Sequence, residues 1–548
     1  MARSNARMSP DAATKARFRL GLLVERTSVS KYVYEFIKWA LANENLELTT
    51  VFIRSSENGV VSFPLPDYWH EDFRTSSEAS LSLKFAVALE RLLLLKNRDH
   101  HRHLDRFDLA AIVPAEMICE LRSDENTPVG EPILDLLVTF APSPFGAGLW
   151  NVAKLGIIAL SPYDDRLYRG GPPGFWEVYF REDVTGFTIQ RLQQAPGTPE
   201  TLFSGRIATQ FYYLLNQASL FQKSAHYLRR IVNQTALTGT LPSFQAKLPF
   251  SGPARGTPTA GQSLRYALGF GRLLFSKILQ KLGFDYRWKV GFLPGGWRGA
   301  ALWRARVIKN DRGHYLADPF VITRDGKHFC FVEDYDIART RGRICAYRLG
   351  DAGADYIGVA LEEDFHLSYP YLFDYKGELF MCPETSAARE IRVYKCVDFP
   401  LHWKLESTLM KGVSAADTML FERSGRWWML TNIDPAEWGD HSLELHVFSA
   451  ETPLSGDWRP HKDNPLFIDA ARTRNGGMVK DGDRLFRVAQ GQGFGMYGKR
   501  TTINEIVELT DDRYTEQPVC VISPTFRPKI FGTHHLHSDG NITVFDFA

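Results

Sequence analysis

The chain has 548 residues, a formal net charge of +2, 44% hydrophobic residues and 23% charged residues. This length predicts about two or three domains, and the near-neutral charge argues against nucleic acid as the main partner. The six cysteines contain no C-x-x-C pair, which excludes a zinc ribbon or a thioredoxin-type motif and favours a reducing compartment. Because the sequence has no signal-peptide pattern and no long apolar run, we expect a cytoplasmic protein.

The first part of the chain alternates strand and helix patterns. Residues 18–24 form a continuous apolar run typical of a buried parallel strand, and residues 46–53 are the next predicted strand. Between them, Ser30 is placed to cap a helix whose apolar residues recur at helical spacing. A helix near 80–95 and a strand at 133–140 follow. This order predicts a doubly wound parallel α/β sheet, and the absence of G-x-G-x-x-G leaves a dinucleotide site unsupported.

Two motifs in this region are more specific. A Y-R-G at 168–170 and a T-G-x-T-I at 185–189 resemble the formyltransferase family, over roughly residues 17–205. Ala159 and Ser161 occupy the positions of that family's Asn and His, and the following segment lacks its Asp. Neither side chain can act as an acid or base near neutral pH, so we predict a formyltransferase-like domain that is catalytically inactive, a pseudoenzyme domain.

A charged run at 99–105 contains three histidines and two aspartates. Because arginines surround it, we interpret it as a solvated helix end or loop and not as a metal site. The chain has no Walker loop or kinase motif. We therefore expect no cofactor and no metal.

Residues 206–288 are predicted to be a helical segment and linker. The stretch 236–262 is rich in Gly, Pro, Ser and Thr, as exposed connections are. Residues 263–284 carry apolar and basic side chains at helical spacing. Two interpretations stay open for this segment: a helix that contacts a membrane surface, and a helix packed between the domains.

The C-terminal part contains an internal repeat. Five segments share one plan, in which a strand leads through a tight turn with glycine to a second strand. The turn glycines are Gly326, Gly377, Gly425, Gly482 and Gly540. Turns of the D-G, K-G and S-G type connect hairpins, and a period near 50 residues with several strands per unit is typical of propellers. We predict that residues 289–548 form an all-β five-bladed β-propeller.

In a propeller, the innermost strands of all blades start at one end of the central channel, so polar residues there converge on one site. We predict three catalytic carboxylates: Asp318 as base or nucleophile-side carboxylate, Glu384 as general acid, and Asp417 to orient the sugar or tune the acid. Glu333 is the alternative acid. The predicted substrate-binding residues are Glu333, Asp334, His366, Tyr369, His534 and His535.

Several motifs carry a resemblance in this region: A-D-P-F (317–320), F-V-E-D (331–334), H-L-S-Y-P (366–370), M-C-P-E-T (381–385) and A-D-T-M (416–419). The region from Lys289 onward resembles the N-terminal domain of plant glucosamine inositolphosphorylceramide transferases and their bacterial relatives. It is more distantly similar to five-bladed glycosidases of the arabinanase, xylosidase and invertase kind. That resemblance implies a catalytic Asp at Asp318. Those glycosidases usually place Asp in blade two and Glu in blade three, whereas Glu384 and Asp417 stand in the reverse order.

Three functions stay open at this point. The resemblance favours glycosyl transfer in cell-envelope glycan or glycolipid synthesis, with a carbohydrate or sugar-nucleotide ligand. The alternatives are a glycoside hydrolase that acts on furanosides or related sugars and a non-catalytic glycan-binding scaffold.

Overall fold

The structure is a computed structural model, and it describes residues 17–54, 80–121, 133–141, 147–163, 171–194, 199–245, 255–281 and 287–548. The chain forms two compact units that alternate along the sequence. The first unit takes residues up to 173 together with 187–204 and 217–263, and the second takes 174–186, 205–216 and 264–548. The Y-R-G motif at 168–170 lies outside the described residues.

The N-terminal region contains a seven-stranded sheet in the order β5-β3-β1-β6-β7-β8-β9. Its strands are β1 (Phe18–Val24), β3 (Leu46–Arg54), β5 (Ile118–Leu121), β6 (Leu136–Thr139), β7 (Ile157–Ser161), β8 (Val184–Arg191) and β9 (Glu200–Ala208). β1 pairs in parallel with both β3 and β6, β6 pairs in parallel with β7, and β8 is antiparallel to β7. A separate two-stranded sheet joins β2 (Ser28–Ser30) and β4 (Arg106–Asp108). The predicted α/β character of this region is confirmed.

The α-helices are α1 (Lys31–Ala42), α2 (Leu81–Leu94), α3 (Phe175–Phe180), α4 (Tyr213–Thr238) and α5 (Ala260–Lys281). Ser30 stands at the N-cap of α1 as predicted, but its side chain makes no capping hydrogen bond. Ser80 does cap α2, because its Oγ accepts from the Leu83 amide. In the described part of the chain, no helix is long and apolar enough to span a membrane.

The prediction of a solvated run at 99–105 is wrong for two of its histidines. His100 and His103 are buried. The His103 ring lies 3.0 Å from Tyr32 Oη and 2.8 Å from Gln217 Oε1. Burial lowers the pKa of both histidines to about 4. They are neutral core residues at physiological pH, held by hydrogen bonds as buried polar groups usually are.

The second unit contains four antiparallel-rich sheets. The first consists of β12 (His314–Arg324), β13 (Lys327–Asp336), β14 (Arg341–Gly350) and β15 (Gly353–Leu361). The second consists of β16 (Ser368–Tyr375), β17 (Glu378–Glu384), β18 (Glu390–Asp398) and β19 (His402–Lys411). The third consists of β20 (Ala415–Arg423), β21 (Arg426–Ile433), β22 (Glu444–Ala450), β23 (Arg459–Pro460) and β24 (Phe467–Ile468).

The fourth sheet has eight strands in the order β11-β10-β30-β29-β25-β26-β27-β28. They are β10 (Lys289–Pro294), β11 (Arg306–Val307), β25 (Arg474–Asp481), β26 (Arg484–Gly493), β27 (Met496–Leu509), β28 (Tyr514–Ile522), β29 (Leu536–Ser538) and β30 (Ile542–Phe547). A single parallel pair, Val479 with Ser538, joins its two antiparallel halves. Five antiparallel groups result, each containing one of the five turn glycines. No sheet closes on itself among the described strands, so the five-bladed ring stays a prediction.

The hairpin turns have the predicted chemistry. Asp325 and Gly326 have φ values of 51° and 68°, and Lys376 and Gly377 have 52° and 80°. Two consecutive residues with positive φ form the type I′ turn, whose twist matches that of the flanking strands. The second of these positions is glycine in both hairpins, where a side chain would be strained.

Candidate active site

Three strands that begin a sheet share one backbone irregularity. In β12, β16 and β20, two residues oppose a single residue of the partner strand, which is a β-bulge. The first bulged residues are Asp318, Tyr369 and Asp417, with φ values of 49°, 48° and 50°. Such a conformation costs about 1–3 kcal/mol in a residue other than glycine and is often found at functional sites. The same bulge therefore places a side chain at the equivalent position in each of three sheets.

The first cluster joins Asp318 to the C-terminal end of the chain. Asp318 Oδ1 lies 3.0 Å from His534 Nε2, and His534 Nδ1 lies 3.2 Å from Asp546 Oδ1. Asp546 Oδ2 in turn accepts from the Asp318 amide at 3.2 Å. All three side chains are buried. The imidazole thus bridges two carboxyl groups.

The electrostatics of this cluster follow from that contact. Burial acts to raise the pKa of Asp318, but the hydrogen bond and charge of His534 outweigh it and lower the pKa. Burial acts to lower the pKa of His534, but the Asp546 and Asp318 carboxylates outweigh it and raise the pKa. Burial raises the pKa of Asp546 to about 6. An ionised Asp318 beside a protonated His534 is the state that these contacts favour.

The second cluster is built around Arg474. Its Nε lies 2.6 Å from Asp417 Oδ2, and its Nη2 lies 3.5 Å from Glu384 Oε2. Gln490 Nε2 also donates to Asp417 Oδ2 at 3.2 Å, and Ser386 Oγ donates to Glu384 Oε1 at 2.7 Å. Burial raises the pKa of Asp417 to about 7 although the guanidinium opposes it. Arg474 therefore holds two of the predicted catalytic carboxyls in one place.

Glu333 lies between the two clusters. Ala317, the residue before Asp318, pairs with Glu333 across β12 and β13. Burial raises the pKa of Glu333 well above its ordinary value, and the Asp318 and Glu384 carboxylates raise it further. The structure thus brings Asp318, Glu384 and Asp417 together around a buried carboxyl group whose pKa is raised.

The predicted substrate-binding residues divide into two groups. His534 and Glu333 are part of the clusters, and His366, which is partly exposed, lies at their edge with its Nε2 3.7 Å from Glu333 Oε1. Asp334 lies elsewhere. Asp334, next to Glu333, points to the other face of the strand and contacts Arg343 at 3.0 Å and His314 at 2.8 Å.

Tyr369 and His535 are core residues and not surface groups. Both are fully buried, and the ring of Phe320 lies 5.0 Å from Tyr369 and 4.6 Å from His535, measured between centroids. Burial lowers the pKa of His535 well below its ordinary value, so its ring is neutral. Both side chains are buried close enough to Asp318 for its charge to act on their pKa values.

Sequence reasoning missed three side chains. Arg474 is the first residue of β25 and directly precedes an N-G-G segment, and this position in the repeat was the signal that could have identified it. Tyr497 has 45% of its surface exposed, and its ring centroid lies 5.1 Å from the Arg474 guanidinium. Trp288 stacks edge-on against His534 at 4.1 Å between centroids. Tyr497 and Trp288 have no counterpart in the other repeats, so no pattern marked them.

One group of described residues has the geometry of metal ligands. Ligand atoms of Asp318, His534 and Asp546 all lie within 4.8 Å of one another. The His534 imidazole lies close to both carboxyls, and these raise its pKa although burial opposes them. Its Nδ1 is buried and has no hydrogen-bond partner among the described residues. These contacts are those of an acid–base cluster.

Most of the strands that carry these clusters lie in the part of the chain that is similar to known proteins. Residues 306–528 match the family model described as "Glucosamine inositolphosphorylceramide transferase 1, N-terminal". The match includes Asp318, Glu333, Glu384, Asp417 and Arg474, and ends before His534 and Asp546. The resemblance predicted for this region is therefore confirmed, whereas the formyltransferase-like assignment stays a prediction.

Curated relatives give the same result. The proteins named "Glucosamine inositolphosphorylceramide transferase 1" from Oryza sativa subsp. japonica and Arabidopsis thaliana are each 34% identical over 212 residues, 38% of this chain. The aligned part covers 28% and 27% of those proteins. The chain thus spans little more than a quarter of the length of these relatives.

The solved structures that align with about half of the chain include two glycoside hydrolases. The family 117 glycoside hydrolase Zg3597 from Zobellia galactanivorans is 12% identical, with a TM-score of 0.32 over 48% of this chain and 91% of that protein. The catalytic domain of the Coprinopsis cinerea GH62 α-L-arabinofuranosidase is 12% identical, with a TM-score of 0.34 over 48% of this chain and 98% of that domain.

Proposed function

We propose that this protein is a carbohydrate-active enzyme that transfers a glycosyl group, and that residues 289–548 form a five-bladed β-propeller around the carboxylate clusters. The five antiparallel groups support this architecture. So does the pairing of β10, the first strand of the region, with β30, the last, over six residue pairs. The similarity to the glucosamine inositolphosphorylceramide transferase N-terminal region supports sugar chemistry at this site. The acceptor would then be a glycan or glycolipid.

One observation carries the proposal: the pKa values of two neighbouring carboxyls are shifted in opposite directions. The pKa of Asp318 is lowered and that of Glu333 is raised well above its ordinary value. Glycosyl transfer forms a bond from the acceptor oxygen to the anomeric carbon and breaks the bond to the leaving oxygen. It therefore needs a carboxylate that takes the proton of the acceptor hydroxyl and an acid that protonates the leaving oxygen. We assign the first role to Asp318 and the second to Glu333.

The remaining groups position the sugar. Both carboxyl oxygens of Glu384 have polar partners in Ser386 and Arg474, whereas the Glu333 carboxyl accepts no hydrogen bond from the described residues. We therefore propose Glu333 as proton donor in place of Glu384. The exposed ring of Tyr497 is suited to stack on the apolar face of a sugar. Asp417 and Glu384, held by Arg474, would bind hydroxyl groups.

The first test is turnover by the full chain with a panel of UDP-, GDP- and CMP-sugars and glycolipid acceptors. We expect release of the nucleotide and a glycosylated acceptor. Asp318→Asn should lower the rate by about 10²–10⁴-fold, because it removes an acid–base group. Asp374→Asn is the matched control, because Asp374 is exposed on β16 and should leave the rate unchanged.

The other outcomes distinguish the alternative functions. Equal rates for the wild type and Asp318→Asn would refute the site. Free sugar released from aryl glycosides, with no transfer to an acceptor, would identify a hydrolase. Sugar binding without any turnover would identify a glycan-binding scaffold.

A second test separates the two candidate acids. Because a general acid works in its protonated form, the rate should fall as the pH rises through the raised pKa of Glu333. Glu333→Gln should lower the rate by about 10²–10⁴-fold and abolish this alkaline decline. Glu384→Gln should keep the decline. If Glu384→Gln abolishes it and Glu333→Gln does not, Glu384 is the acid.

A further inference from the structure

Helix α5 has apolar residues on two opposite sides. Tyr266 and Phe270 are buried, and the Tyr266 ring lies 5.1 Å from that of Phe175 between centroids. The opposite side exposes three large apolar side chains: Leu264, Leu268 and Phe275, with exposed fractions of 53%, 67% and 62%. At 3.6 residues per turn these three lie within roughly 40° of one another around the helix axis. They form an apolar stripe that faces solvent.

The charges beside this stripe have one sign. The α5 segment, residues 260–281, contains no aspartate or glutamate and four basic residues. Arg265 and Arg272 lie on the same flank of the stripe, because seven residues are close to two helical turns. A helix with an apolar face and basic residues beside it binds anionic lipid surfaces.

A cavity of about 380 Å³ adjoins the helix within the second unit. Its lining is mainly aromatic and aliphatic, with contributions from Tyr179, Phe180, Phe211, Phe270, Leu273 and Phe494. Arg181 and Arg265 also line it, and the lining contains no carboxylate. In the described part of the chain, neither guanidinium has a carboxylate partner. The volume is within the range of small-molecule sites, about 300–1,000 Å³.

We propose that α5 and this cavity form a binding site for an anionic lipid. An aliphatic chain would occupy the aromatic cavity, the negatively charged head would lie on Arg181 and Arg265, and the apolar stripe would enter the surface of the bilayer. The apolar lining, the exposed stripe and the uniformly positive charge all match this one class of ligand. Binding is measured without any sugar, so this site stands or falls independently of glycosyl transfer.

The test is flotation of the full chain with phosphatidylcholine vesicles, with and without phosphatidylglycerol. We expect binding only when the anionic lipid is present. Gly269 lines the cavity, and a Cβ there enters open space, so the side chain in Gly269→Leu would occupy part of the cavity. We expect this variant to weaken vesicle binding by about tenfold or more, which corresponds to roughly two methylene groups of the lipid chain that are no longer buried. Gly271→Leu is the companion variant. A Cβ also meets nothing there and Gly271 does not line the cavity, but it lies seven residues after Leu264 and so within the stripe, so the added leucine should strengthen binding and not weaken it.

The charge is tested with the same vesicles. Arg265→Gln should weaken binding by about fivefold, the effect of one basic side chain at an anionic surface. Equal binding to both kinds of vesicle would overturn the proposal, as would equal weakening by Gly269→Leu and Gly271→Leu. No vesicle binding, together with saturable binding of inorganic phosphate, would reduce the site to a simple anion site. A concentration-dependent dimer without vesicle binding would instead identify the stripe as an interface between two copies.

Discussion

His534 shows how burial and charge compete at a single residue. Removal of the ring from water disfavours the imidazolium, yet Asp546 and Asp318 lie on either side of it and reverse the effect. Such a buried charge is tolerated only because it is paired and hydrogen-bonded. The same pairing keeps Asp318 ionised beside Glu333. The protonation states at the proposed site are therefore properties of a group of residues and not of single side chains.

This pairing predicts a pH dependence of stability. Because the pKa of folded His534 is raised above its ordinary value of 6.5, its contribution is complete below pH 6.5. The contribution is lost as the pH rises through the raised pKa. The difference in free energy of unfolding between the wild type and His534→Gln should therefore shrink with increasing pH above 6.5. Urea unfolding at a series of pH values measures it, and a difference that grows with pH would contradict the assignment.

At the scale of the elements, turns and bulges position the site. The tight hairpin turns end the first strand of a sheet and return the chain as the second. The bulges at Asp318, Tyr369 and Asp417 occur near the beginning of the first strand, where each shifts the register by one residue. A one-residue shift reverses the face on which side chains lie. In this way polar residues that start a strand can point inward while the apolar residues after them stay in the core.

The turns give a prediction at this scale. Gly326 has a φ of 68° and a Cβ there meets nothing within 4 Å, so Gly326→Ala is strained by its backbone alone. We expect a loss of about 1–2 kcal/mol in free energy of unfolding. Gly271→Ala is the control. Gly271 lies in α5, its φ is not positive, and a Cβ there meets nothing within 4 Å, so this substitution should raise the free energy of unfolding by about 0.5–1 kcal/mol. Urea denaturation followed by tryptophan fluorescence measures both, and equal effects would contradict the type I′ assignment.

At the scale of the whole second unit, β10 pairs with β30 across a long stretch of the chain. These strands are separated by more than 240 residues in the chain, and they bring Val290, Phe292 and Val544 into one buried cluster. The same end of the chain supplies Asp546 and His534 to the proposed site. The stability of the unit and the chemistry of the site therefore depend on the same long-range contact.

A single buried substitution tests this dependence. Val544 is fully buried in β30, so Val544→Asp places an unpaired charge in the core and should cost roughly 3–5 kcal/mol. Val519→Asp, in β28 of the same sheet, is the matched control because that side chain is 44% exposed. Limited proteolysis and circular dichroism should show loss of the folded second unit only in Val544→Asp. Tolerance of both would mean that the β10–β30 contact does not close the unit.

The sequence by itself determined the features that depend on neighbouring residues. Glycine in a turn, alternating strand patterns and the repeated A-D-P-F and A-D-T-M motifs act over a few residues, so the repeat and the placing of Asp318 and Asp417 could be predicted from them. The parallel strands of the N-terminal region followed from their apolar runs for the same reason. The missing capping hydrogen bond of Ser30 and the burial of His103 could not be predicted, because distant packing decides them.

Only the tertiary structure decided which groups carry charge. Arg474 reaches Asp417 from 57 residues away, and His534 reaches Asp318 from 216 residues away. Asp334 and Glu333 are adjacent in sequence, yet one lies beside Arg343 and the other faces four carboxyls. A pKa depends on burial and on the charges within a few ångströms. Residue type and spacing therefore marked the candidates, and the fold alone set their protonation and roles.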